Sequence, residues 1–120
     1  MNNTIIIKKN YEFKNMFKKG KFFYGNFINM YIHSTAKEYN KFGIAVPKKC
    51  GKAVERNRIK RLVREAYYRY EDKIKLGTNI LVSIKEDLNI ENITFDNILK
   101  DFEKILNSAE VTIRNEKDDN

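Results

Sequence analysis

FGIAVPKKCGKAVERNRIKRLVREAYYRY, residues 42–70, carries the two periodicities that set the fold. Its first part alternates, with Phe42, Ile44 and Val46 opposite Gly43, Ala45 and Pro47, and alternation puts successive side chains on opposite faces of a strand. One face is large and the other small. From about Ala53 to Tyr70 the period lengthens: Ile59, Leu62, Val63, Ala66, Tyr67 and Tyr70 fall at the i, i+3, i+4, i+7 spacing of a buried helical stripe. A strand from Phe42 to Pro47 and a long helix are therefore expected.

The flanking segments repeat these two periods. Upstream, Phe27 to Ser34 alternates, with Ile28, Met30 and Ile32 on one face and Phe27, Asn29, Tyr31 and His33 on the other. Ahead of it, Asn10 is a good helix cap, Glu12 suits a first turn, and Lys18, Lys19 and Gly20 make a stop. A helix is expected over Tyr11 to Lys19, with Phe13, Met16 and Phe17 as its apolar stripe. Downstream, after a connection closed by Gly77, Asn79 to Lys85 alternates Ile80, Val82 and Ile84 against Leu81, Ser83 and Lys85. A last helix starts near a Thr94 cap and buries Phe95, Ile98, Leu99, Phe102, Ile105 and Leu106. This order predicts an α+β two-layer sandwich with its helices on one face of the sheet. The other face, bearing Tyr31, His33, Gly43, Ala45, Ser83 and Lys85, is expected to be a shallow open groove, suited to stacking the bases of single-stranded RNA.

A chain of 120 residues has room for one compact domain. Residues 1–109 are read as that domain and 110–120 as a disordered tail. One cysteine, Cys50, and one histidine, His33, supply neither a disulfide nor a zinc site of the usual Cys/His type. Cys50 is expected only to pack. No segment approaches the roughly 20 apolar residues of a membrane helix, and Ile5, Ile6 and Ile7 are followed at once by Lys8 and Lys9, so a cytoplasmic protein without a membrane partner is expected. The formal charge is +8, and it is uneven: residues 1–69 carry +13 and residues 70–120 carry −5. A basic front against an acidic back is the electrostatic footprint of a nucleic-acid binder.

The charge is densest on the long helix, where Asn57, Lys60, Arg61, Arg64 and Tyr68 fall away from the apolar stripe. Arginine is the planar, bidentate donor for phosphate and base edges, so this face reads as an RNA contact. Three readings compete on residues alone. They are a single-strand RNA binder, a basic ribosome-associated structural protein, and a metal-dependent nuclease acting alone. The last would need clustered carboxylates, and Glu86, Asp87, Asp96 and Asp101 read instead as solubilising or helix-start charges.

The run from Gly43-Ile44-Ala45-Val46-Pro47-Lys48-Lys49 through Gly51-Lys52-Ala53-Val54 to Arg56-Asn57-Arg58-Ile59-Lys60-Arg61-Leu62-Val63-Arg64-Glu65 resembles the signature of the bacterial ribonuclease P protein component family. Phe13, Phe17 and Gly20 upstream, Tyr31, and the strand ending at Lys85 also match, so the resemblance covers roughly residues 8–106. It implies the order α-β-β-β-α-β-α, like the second domain of ribosomal protein S5. It also implies a left-handed β-α-β crossover, where general chain physics favours the right-handed one. In such a protein a large RNA subunit carries out Mg²⁺-dependent removal of the 5′ leader of precursor tRNA. The resemblance assigns no catalytic or metal-binding residue to the protein subunit and implies no obligate protein partner. The resemblance assigns Arg56, Asn57 and Arg58, with neighbours Lys60, Arg61 and Arg64, to the catalytic RNA. It assigns Phe13, Phe17, Tyr31, Lys48, Lys52 and Lys85 to the precursor-tRNA leader. Two departures stand out: Glu86 and Asp87 follow Lys85 where relatives continue basic, and Pro47 lacks a backbone donor.

Overall fold

A computed structural model describes residues 3–113. In chain order these form β1 (Thr4–Ile6), α1 (Asn10–Lys19), β2 (Lys21–Tyr24), β3 (Ile28–Ser34), β4 (Asn40–Ala45), α2 (Ala53–Tyr70), β5 (Thr78–Ile84) and α3 (Phe95–Ala109). Short 3-10 turns lie at Lys48–Cys50, Glu71–Lys73 and Ile90–Asn92. The strands make one mixed sheet in the order β1-β4-β5-β3-β2. The β2, β3 and β5 pairings are antiparallel, while β4 runs parallel to both β5 and β1. The α-β-β-β-α-β-α order is therefore present from α1 onward, and β1 adds an edge strand ahead of it.

The apolar face of the sheet makes the main core. Ile28, Met30 and Ile32 of β3, Phe42 of β4, and Ile80, Val82 and Ile84 of β5 pack against Ile59, Val63, Ala66 and Tyr67 of α2 and Ile98, Phe102, Ile105 and Leu106 of α3. The Phe42 and Tyr67 rings stack with centroids 3.9 Å apart. Burial raises the Tyr67 hydroxyl to about 12, and it exchanges a 2.9 Å hydrogen bond with Thr4 of β1. α3 starts where the sequence places it: the Thr94 hydroxyl accepts from the Asn97 backbone at 3.1 Å, and the Asn97 side chain accepts from Thr94 N–H at 3.0 Å.

α1 does not join the other helices on that face. Its Met16 is buried on the opposite side of the sheet with Ile7 and Leu81, because Leu81 gives the supposedly small face a large apolar group that needs cover. The helix starts one residue early, capped at Lys9 instead of Asn10, with the Glu12 carboxylate accepting from Lys9 N–H at 3.3 Å. β4 likewise starts early, since Asn40 to Phe42 pair with β1, and it ends before Pro47. Pro47 thus stands outside the ladder, where its missing N–H costs nothing, and its carbonyl accepts from Cys50. Gly77, ahead of β5, has φ +85, a left-handed conformation that side chains disfavour, and its carbonyl accepts from Thr35.

The chain does not loosen at Glu110 as expected. Glu110 ends α3 in the left-handed conformation, Val111 is buried, and Thr112 bridges to Ile74. The rest of the expected tail, 114–120, lies outside the described residues.

Candidate nucleic-acid interface

Strand register fixes what the second face of the sheet presents. Phe22 of β2 pairs with Tyr31 of β3, Tyr31 with Leu81 of β5, and Leu81 with Gly43 of β4, so these side chains share one row. The neighbouring row holds Tyr24, Asn29, Ser83 and Ala45. α1 lies over part of this surface, with Met16 anchored on Leu81. Phe13, on the same helix, packs against that small core with Tyr31 and Ala45, so part of its ring serves packing. Phe17 is different. It is 44% exposed, and its ring meets Tyr31 edge to face at 4.8 Å and 81°.

A further ring completes this cluster and was missed in the sequence. Phe22 is 49% exposed and also meets Tyr31, at 5.2 Å and 61°. The signal available was the alternation of Phe22 and Tyr24 against Phe23, readable only once Lys21 to Tyr24 is taken as a strand.

Because β4 and β5 are parallel, their C-terminal ends reach one edge of the sheet together. That carries Lys48, in the turn after β4, and Lys85, just after β5, to the same end of the face. The Lys85 ammonium sits 5.8 Å from the centre of the Tyr24 ring. Lys48 and Lys52 are exposed, and Lys52 stands at the N-terminus of α2. Glu86, one of the two acidic departures after Lys85, forms a 2.8 Å ion pair with Lys49. The Glu86 hydrogen bond and charge raise the Lys49 ammonium above its ordinary range. Cys50 is a free, buried thiol pushed upward first by burial and then by Glu86, consistent with packing. His33 lies one row beyond Tyr31, in a hollow with Tyr11, Lys19, Lys41 and Asn79. Among the described residues no three His, Cys, Asp or Glu side chains gather as a metal site would need, and no helix is long and apolar enough to cross a membrane.

The basic helix occupies the other layer. Asn57, Arg61 and Arg64 are exposed, and Lys60 and Arg64 flank the part of β4 that β1 leaves uncovered, beside Gly43 and Ile44. Among the described residues none of Arg56, Arg58, Lys60, Arg61 and Arg64 forms an ion pair with a carboxylate. The Arg-Asn-Arg trio is not uniform, however. Arg56 is half-buried and donates to the Lys48 carbonyl at 3.1 Å. Arg58 turns toward the Ile90–Asn92 turn, donating to the carbonyls of Ile90 at 3.4 Å and Ile93 at 2.8 Å. Arg58→Ala is accordingly expected to lower stability by about 1–2 kcal/mol, through loss of charge-assisted bonds to those carbonyls, as read from the urea midpoint.

A family model described as Ribonuclease P matches residues 1–110. The chain belongs to the ribonuclease P protein family. It is 34% identical to the ribonuclease P protein component of Clostridioides difficile over 113 residues, covering 93% of this chain and 97% of the relative. The corresponding protein of Fusobacterium nucleatum is 35% identical over 107 residues, covering 88% and 96%. Among solved structures, the RNase P protein of Staphylococcus aureus superposes with a TM-score of 0.76 at 32% identity, covering 88% of this chain and 95% of that one. The RNase P protein of Thermotoga maritima gives the same TM-score at 27% identity, covering 87% and 96%. Membership of the ribonuclease P family makes the chain the protein component of an endoribonuclease of tRNA processing. The ribosome-associated reading gives way to it.

Proposed function

We propose that the chain binds two RNAs on two separate surfaces, docking on the catalytic RNA of ribonuclease P through α2 and holding the 5′ leader of precursor tRNA in the groove beside α1. The RNA subunit carries out the Mg²⁺-dependent hydrolysis, and the protein promotes it by holding substrate and catalyst together. One observation supports this reading: the exposed Phe17 ring, edge to face with the partly buried Tyr31 ring, lies on the sheet face opposite α2, the face whose one end carries Lys48 and Lys85. Aromatic faces accept any base, and lysines supply the sequence-independent attraction to phosphate, which is what an unpaired leader of variable sequence requires. Lys48, Lys52 and Lys85 serve the leader phosphates, and Asn57, Lys60, Arg61 and Arg64, with Arg56 and Arg58 behind them, serve the catalytic RNA.

Reconstitution tests this. Added to a bacterial ribonuclease P RNA, the protein is expected to raise precursor affinity and cleavage at low Mg²⁺. Tyr31→Ala is expected to weaken binding of a long-leader precursor by about 1–2 kcal/mol while leaving mature tRNA unaffected. Absence of any enhancement overturns the reading.

A further inference from the structure

We propose that β2 lengthens the leader groove by two more base-stacking positions, Phe22 and Tyr24, with Lys85 over the outer one; this rests on the groove reading above. Residues two apart on a strand share a face and lie roughly 6.7 Å apart, so the two rings stand in line along β2. Both are solvent-facing, at 49% and 68% exposure, whereas Phe23 between them turns to the core. Phe22 continues the Phe17–Tyr31 cluster without a break, since its ring meets Tyr31 edge to face, as Phe17 does.

The surroundings select the occupant. A contiguous set of exposed rings on an edge strand is an aggregation hazard unless something covers it. Here the Lys85 ammonium lies over Tyr24, with Lys48 at the same sheet end, which fits a polyanion carrying flat rings. The floor beside Tyr24 is polar as well. Asn29 and Ser83 stand opposite each other across β3 and β5, and the Asn29 carboxamide oxygen has no hydrogen-bond partner among the described residues. The occupants are therefore the leader nucleotides beyond those held by Phe17 and Tyr31.

The test uses the reconstituted holoenzyme and precursor tRNAs whose leaders grow one nucleotide at a time. Affinity is expected to rise with leader length until the groove is filled. Phe22→Ala and Tyr24→Ala should end that rise early, losing roughly ten-fold on the longest leaders and nothing on the shortest. Phe22→Tyr should restore the lost affinity and Phe22→Leu should not. If Phe17→Ala weakens leader binding while both β2 variants match wild type at every length, the extension is overturned and the groove reading stands. If Phe17→Ala is also silent, the groove reading itself fails. A loss by Phe22→Ala that is equal at every length, mature tRNA included, marks a packing role and overturns the extension. Tyr24, the more exposed ring, keeps the test decisive should Phe22→Ala fold poorly.

Discussion

Asp101→Ala is expected to lower the unfolding free energy by about 3–5 kcal/mol, a large share of what a domain of this size possesses. Asp101 sits in α3 at 2% exposure, and its carboxylate accepts from three successive backbone N–H groups, Asn26 at 3.0 Å, Phe27 at 2.7 Å and Ile28 at 3.0 Å. Asn26 and Phe27 belong to the connection between β2 and β3, and Ile28 is the first residue of β3. Alanine leaves the group stranded at a cost of about 1–3 kcal/mol for each buried donor, less what relaxation recovers. Gly25 belongs to the same arrangement, since a Cβ there would stand 2.6 Å from the carboxyl carbon. Asp101→Asn keeps one acceptor oxygen but turns an NH₂ toward a donor, so it should recover only part of the loss. The check is a urea titration: the midpoint should fall with the slope unchanged, and a loss under about 1 kcal/mol would refute the assignment. The consequence extends to function. Asp101 ties the hairpin carrying Phe22, Tyr24 and Tyr31 to the helical layer behind the sheet, so its loss should also loosen the groove.

Asp101 shows where the sequence could have been read further. It stands three residues after Ile98 and one before Phe102, on the apolar stripe of α3, yet it was grouped with the surface acids. A carboxylate on a buried stripe needs donors, and those lie about 75 residues upstream, beyond any local pattern. α2 was legible from end to end, because a long 3.6-residue period is set by one continuous core contact. Its strand neighbours were legible wherever a sheet face is buried on one side. β1 was not: Thr4–Ile6 is short, does not alternate, and is a strand only because β4 offers an edge. The placement of α1 was not legible from periodicity, since it depends on Leu81 of β5 and Ile7 just after β1 meeting Met16; only the family resemblance set the first helix beside the groove. Within the candidate site, Phe17 and Tyr31 were legible as types and positions. Phe22 needed the β2–β3 register, and the inward turn of Arg58 needed the Ile90–Asn92 turn.

That division within the basic helix makes the Arg61→Ala, Arg64→Ala double variant the sharpest test of the docking surface. Both side chains are exposed and neither forms an ion pair with a described carboxylate, so the fold should keep its stability, unlike Arg58→Ala. Binding to the catalytic RNA should fall about 100-fold at low salt, since each charge-assisted contact to phosphate is worth about 1.5–3 kcal/mol and the two act in part together. The salt dependence supplies the second readout. Each lost phosphate contact removes counterion release, so the slope of log affinity against log salt should become shallower by about 1.4–1.8. Replacing both residues by lysine separates charge from shape: the slope should stay near wild type, while affinity falls by a smaller factor because the planar bidentate fork is gone. Leader recognition should be untouched, as the groove lies on the other face of the sheet. A double-alanine variant that binds the RNA with wild-type affinity and slope would remove α2 from the docking surface and move the search to the lysines of α1.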